Sequence, residues 1–121
     1  MTSRVQPTPA QAAGGDAEDR AARFLAAHGL RILQRNYRTR MGEIDLIARD
    51  GDTLVFVEVR LRSSERFGGA LGSIDARKRA RIEAAARHYL MRIKREPPCR
   101  FDVVTLAQGE PAWLRGAFEA S

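Results

Sequence analysis

Met41-Gly42-Glu43-Ile44-Asp45-Leu46-Ile47-Ala48-Arg49-Asp50-Gly51-Asp52-Thr53-Leu54-Val55-Phe56-Val57-Glu58-Val59-Arg60-Leu61 is the stretch that decides the fold. Two apolar runs rich in β-branched residues flank Asp50-Gly51-Asp52-Thr53, a strong turn signal, so the stretch reads as a β-hairpin. Alternation sets Ile44, Leu46 and Ala48 on one side of the first strand, and Glu43, Asp45 and Ile47 on the other. The second strand alternates Val55, Val57, Val59 and Leu61 against Leu54, Phe56, Glu58 and Arg60. A four-residue loop puts Asp45 opposite Glu58 and Glu43 opposite Arg60, with all four charges on one face. A two-residue loop moves the register so that Glu43 faces Glu58, and a three-residue loop or a bulge breaks the parity.

Glu58 interrupts the middle of a run that has the length and residue types of a buried strand. A carboxylate there loses several kcal/mol of hydration unless a cation meets it. Asp45 and Glu58 on adjacent strands offer two hard oxygen ligands to a divalent cation, and the backbone carbonyl of Val59 offers a third. Magnesium suits such a site, because it takes one or two carboxylates, keeps several waters and accepts phosphate oxygens; manganese accepts the same donors. Arg60 projects on the face of Glu58 and can neutralise charge on a phosphate, but its guanidinium is a very poor general base. An ion-pair cluster of Glu43 or Glu58 with Arg60, serving strand register alone, accounts for the same charges equally well.

Length and charge narrow the classes. A chain of 121 residues suits one domain able to withdraw about two-thirds of its unfolded surface from water. Its single cysteine, Cys99, cannot bridge internally, which fits a packing role and a reducing, cytoplasmic setting. No apolar run approaches a membrane span, and the first residues lack the apolar core of a secretory signal. Residues 1–15, with Pro7, Pro9, Gly14 and Gly15, are expected as a disordered tail before a domain over 16–121. The net charge is +6, and nineteen of twenty-one basic residues are arginine, the side chain that grips phosphate through a bidentate fork. A biased genome composition yields the same richness, so charge alone raises the expectation of nucleic-acid binding only modestly.

Outward from the hairpin, a helix is expected from about Asp16 to His28, with Ala17, Ala21, Phe24, Leu25 and His28 on one stripe and Gly29 as its stop. Leu30 to Tyr37 reads as a strand, and 62–72, with Gly68, Gly69 and Gly72, as a loop. A long helix follows, with Ser73 as N-cap and Asp75 in its first turn. Its apolar stripe is Ile82, Ala85, Ala86, Tyr89, Leu90 and Ile93, and Pro97-Pro98 stops it. Arg100 to Leu106 and Trp113 to Phe118 read as further strands. The fold class is α/β, a single domain with a central mixed β-sheet flanked by helices.

Gly42-Glu43-Ile44-Asp45 followed by Val57-Glu58-Val59-Arg60 resembles the acid signature of the restriction-endonuclease-like fold, in which a lysine ends the second motif. The chain from Gly15 onward most resembles the YraN family of small bacterial proteins, themselves similar to archaeal Holliday-junction resolvases. Ala17-Glu18-Asp19-Arg20-Ala21-Ala22-Arg23-Phe24-Leu25 is similar to that family's first helix, Arg31-Ile32-Leu33-Gln34-Arg35-Asn36-Tyr37-Arg38 to its first strand, and Phe101-Asp102-Val103-Val104 to its late strand. The resemblance implies a restriction-endonuclease-like domain that cuts DNA, branched or otherwise structured, with Mg2+ or Mn2+. It implies Asp45, Glu58 and Glu18 as metal ligands and Arg60 in the lysine's place. On spacing alone, Glu18 suits the positive end of its helix just as well.

Glu43 reads as a supporting acid or the partner of Arg60. Lys78, at the edge of the long helix's stripe, either reaches the sheet site or a phosphate, or snorkels to solvent. Arg38, Arg40, Arg62, Arg77, Lys78 and Arg81 are the candidate nucleic-acid contacts, although a solvated charged face looks the same. Tyr37 and Tyr89 suit base stacking and core packing equally; His28 and His88 lack partners at zinc-ligand spacing. Three readings follow: a metal-dependent endodeoxyribonuclease, a nucleic-acid-binding module of the same fold with little or no catalysis, and a protein-interaction adaptor. A two-fold homodimer would match a symmetric junction.

Overall fold

The computed structural model describes residues 9–61, 74–107 and 111–120, with side chains from residue 15 onward. In chain order the elements are α1 (Pro9–Ala27), β1 (Arg31–Arg38), β2 (Glu43–Asp50), β3 (Thr53–Leu61), α2 (Ala76–Ile93), β4 (Cys99–Leu106) and β5 (Ala112–Phe118). The five strands form one sheet in the order β1-β2-β3-β4-β5. Only β3 and β4 run parallel, because only they are separated by a helix long enough to carry the chain back across the sheet. This single small α/β domain is consistent with the restriction-endonuclease-like fold. None of its helices is long and apolar enough to cross a membrane among the described residues.

The helices cover opposite faces of the sheet. Ala17, Ala21 and Leu25 of α1 pack on Leu46, Ala48, Val55, Val57 and Val104. Ile82, Ala85 and Ala86 of α2 pack on Ile47, Leu54, Phe56 and Phe101, with Tyr89, Leu90 and Ile93 alongside. β3 feeds both cores by simple alternation, which is why its centre reads as an unbroken apolar run.

Several boundaries differ from the sequence reading. The backbone is helical from Pro9, where proline's missing N–H leaves no helical hydrogen bond unmade, so 9–15, expected as tail, is helical in its backbone. Asp75 is itself the N-cap of α2, its carboxylate accepting from Lys78 N at 2.8 Å; Ser73, Arg62 and the glycines at 68, 69 and 72 lie outside the described residues. α2 ends at Lys94, a left-handed C-cap whose N–H donates to Leu90 O, three residues before Pro97. Cys99 is exposed, so its expected packing role is not seen.

The turn is tighter than the four residues assumed. Asp50 and Thr53 pair, leaving Gly51 and Asp52 as the loop, with φ +61° at Gly51, the sign that a two-residue turn beginning with glycine requires. The register is nonetheless the one that sets Asp45 level with Glu58, because pairs run from Asp50↔Thr53 to Leu46↔Val57. There the ladder stops. The expected alternation breaks at the same level: Leu46 faces α1, while Ile44 joins Tyr37, Ile47 and Phe56 on the α2 side. On β1 the matching break falls at Asn36, whose φ of +52° lets Arg35 pair with Asp19 of α1 while Tyr37 turns to His88 of α2. Tyr37 is therefore core, not a stacking platform. The four charges do not share one face.

Asp102, in the middle of β4, is fully buried and saturated. It accepts from Arg100 Nε at 2.9 Å and Nη2 at 3.0 Å, from Trp113 Nε1 at 2.9 Å and from Gly116 N at 2.9 Å. Arg100 also reaches Asp50 at 3.2 Å, tying the hairpin end to β4. Replacing Asp102 by alanine would strand these donors; Arg100 keeps Asp50 and some water, so a loss of about 3 kcal/mol in urea unfolding is expected. A loss below about 1 kcal/mol would show that the cluster does not hold β5 in place.

Candidate acid site at the open end of the hairpin

The site forms where β2 and β3 part. Beyond Leu46↔Val57, the ladder would continue with a main-chain acceptor for the Val59 N–H; instead Asp45 Oδ2 accepts that bond at 2.8 Å. The N–H and C=O of one strand residue lie along the same edge, so the Val59 carbonyl also faces the gap left by the departing β2. Asp45 can lean sideways toward β3 because it stands at the alternation break.

Glu58 is the buried member of the site, its side chain 7% exposed. Burial first, then the adjoining Asp45 carboxyl, pushes the Glu58 carboxyl up to about 8, against the opposing pull of Lys78 and Arg60. Lys78 Nζ lies 3.4 Å from Glu58 Oε2, so Lys78 reaches the site from α2 and does not snorkel away.

Glu18 of α1 stands on the other side. Its carboxyl is also raised, by burial first and by Asp45 second, with Arg35, a hydrogen bond to Asn36 and Arg38 opposing. Its Oε1 is buried without a hydrogen-bond partner. Glu18, Asp45, Glu58, Arg60, Ala17, Val59 and Leu61 line one cavity of about 350 Å³. Three of the sequence-derived acids and Arg60 thus share a pocket, yet no three ligating side chains converge as a ready-made metal group among the described residues. Two carboxylates and a carbonyl, supplemented by water, still match what magnesium asks of a protein.

Glu43 lies at the start of β2. It faces Arg38 across the β1–β2 edge at 3.6 Å, both groups well exposed, which makes the contact weak.

Gly42 is the functional residue that sequence reasoning passed over. A methyl group at Gly42 would collide with the main-chain carbonyl of Arg81, so the turn before β2 docks backbone to backbone on α2. That contact fixes α2 against the hairpin, with Lys78 one turn before Arg81. Arg38 and Arg40, just before this turn, and Arg77 and Arg81 of α2 are all exposed. The signal was present only as a glycine adjoining the acid motif. Asp102 carried the same mark as Glu58, a charge inside an apolar run, and its partners came from β5.

Comparison with known proteins bears on identity but not on chemistry. The sequence model of the uncharacterised protein family UPF0102 matches residues 17–106. A UPF0102 protein of Paracidovorax citrulli is 58% identical over 120 residues, covering 96% of this chain and 89% of that protein. One from Albidiferax ferrireducens is 55% identical over 121 residues, with 97% and 94% covered, and one from Nitrosomonas europaea 53% over 111 residues, with 89% and 94% covered.

The raised Glu58 carboxyl gives the site a pH signature. Glu58 holds its proton up to about pH 8 in the fold but releases it near 4.5 as an ordinary glutamate. Across that window the folded state binds more protons than the unfolded one, so stability with chelator present should be greatest at the acidic end and fall as pH rises. Glu58→Gln should flatten this part of the curve. Thermal melts at several pH values check it; parallel curves for wild type and variant would mean that Glu58 titrates normally.

Proposed function

Because the chain belongs to the UPF0102 family, whose description names no activity, the reading rests on the site, and we propose that it is a metal-dependent endonuclease acting on DNA. The observation that carries it is that Asp45, Glu58 and Glu18 line one cavity, with the Glu58 side chain almost wholly buried. Crowded carboxyls whose ionisation is opposed by burial and by one another are an arrangement that a divalent cation resolves. Asp45 and Glu58 would hold Mg2+ or Mn2+, with the Val59 carbonyl as a further oxygen; Glu18, across the cavity, would act through coordinated water. When bound, the cation would supply Lewis-acid activation of a phosphoryl oxygen and of an attacking water.

The remaining residues fit a phosphodiester substrate. Arg60 lines the cavity as a fixed cation and can bind a phosphate oxygen without taking up a proton. Arg38, Arg40, Arg77 and Arg81 are exposed, near in sequence either to the docked turn or to its contact at Arg81, and could hold a nucleic-acid backbone. One observation favours a second reading. Arginine stands where related signatures carry lysine, and a module that binds DNA and cuts little would keep the same surface. Resolvase-like branched DNA is the substrate class the resemblance favours, and a homodimer would present two sites to it.

Purified protein offered linear, single-stranded, flap and four-way-junction DNA with Mg2+, Mn2+ or chelator tests this. Metal-dependent cutting is expected, with Asp45→Asn and Glu58→Gln each lowering the rate by roughly 10²-fold or more while DNA binding persists. Cutting unaffected by either variant would move the active site elsewhere, and binding without cutting would establish the silent module.

A further inference from the structure

We propose that Lys78, delivered by helix α2, contacts the phosphate that sits against the acid pair, a second cation beside Arg60 that comes from a different element. The inference rests on the nuclease reading above and adds to it a catalytic residue that the hairpin motif does not contain.

Composition makes the first argument. The chain has only two lysines beside nineteen arginines, so its basic positions are arginine by default. One of the two, Lys94, forms the left-handed cap that ends α2. The other has its ammonium 3.4 Å from Glu58. A lysine is a compact point charge with three donors, whereas arginine is a planar fork, and the two are not interchangeable beside a crowded carboxyl pair.

Placement makes the second. The Lys78 backbone N–H donates the N-cap bond to the Asp75 carboxylate, so Lys78 lies in the first turn of α2, where the helix dipole disfavours cations. Arg77 and Arg79 flank it and no acidic residue shares that turn. Local preference would put an acid at this position, and such conflicts mark functional sites when the tertiary structure compensates them. The compensation here is Glu58. The half-buried ammonium carries three donors, so beside its contact with Glu58 it can also meet a phosphate oxygen next to the pair. The dry contact of Gly42 with the Arg81 carbonyl holds this turn of α2 at its station.

The test measures two quantities on wild type, Lys78→Gln and Lys78→Arg, each first shown to melt as a folded protein. The first is DNA affinity against salt concentration, with chelator. A lost phosphate contact lowers the slope of log K against log salt by about 0.9, and Lys78→Gln is expected to show that drop while Lys78→Arg does not. The second is the cleavage rate at saturating DNA and Mn2+, expected to fall roughly 10²-fold in Lys78→Gln and to recover only in part in Lys78→Arg. Should Lys78→Gln fail to fold, Glu58→Gln/Lys78→Gln, which removes the charge left behind, carries the salt measurement against Glu58→Gln. A wild-type slope in the glutamine variant overturns the role of Lys78 and leaves the nuclease reading standing. A lowered slope in a protein that cuts nothing keeps Lys78 at the phosphate and overturns cleavage; no DNA binding by the wild type overturns both.

Discussion

The parting of β2 from β3 at Leu46↔Val57, which leaves Asp45 and Glu58 lining one cavity, is the constraint on which the rest of the site depends. The site needs two strands that pair as far as Leu46↔Val57 and then separate, because a continued ladder would leave no gap for Asp45 to reach the Val59 N–H. It needs Asn36 in a left-handed conformation so that the outer strand can follow the change of face. It also needs a helix on each side: α1 contributes Glu18 and α2 contributes Lys78. The cores above and below β3 serve as the rigid support, since nearly all of that strand's centre is buried on both faces.

Two acidic clusters in one small domain show how environment sets a carboxylate's role. Asp102 is more deeply buried than Glu58, yet it receives four donors, two of them from a guanidinium, and that satisfies its charge. Glu58 meets one ammonium, at 3.4 Å, the charge of Arg60, and another acid. The first arrangement is complete and ties β4, β5 and the hairpin end together. The second leaves its buried carboxyl raised, with the cations around it outweighed by burial and the neighbouring acid. The difference lies in the neighbours, not in depth of burial.

Much of this was legible in the chain. The hairpin, the two helical stripes and the order of strands follow from periodicity and turn chemistry, but the level of Asp45 with Glu58 was one of several registers left open and was tied to a four-residue loop, whereas the turn has two. The face on which each charge lies did not follow, because alternation assumes a regular strand and both β1 and β2 twist at the site. Asn36 gives no warning of its positive φ beyond being an asparagine. The Arg38 partner of Glu43 and the Arg81 contact of Gly42 are tertiary facts: they depend on where α2 lands, which no local pattern specifies. Lys78 was visible as a residue at the edge of a stripe, but its direction was decided by Glu58.

The account stands on the acid pair exchanging its proton for a metal ion, and calorimetric titration of the protein with Mn2+ in two buffers of different ionisation enthalpy measures that exchange. Near neutral pH the pair should release about one proton for each Mn2+ bound, and Asp45→Asn should abolish the binding. Mn2+ binding with no proton released, or binding that Asp45→Asn leaves intact, would contradict it.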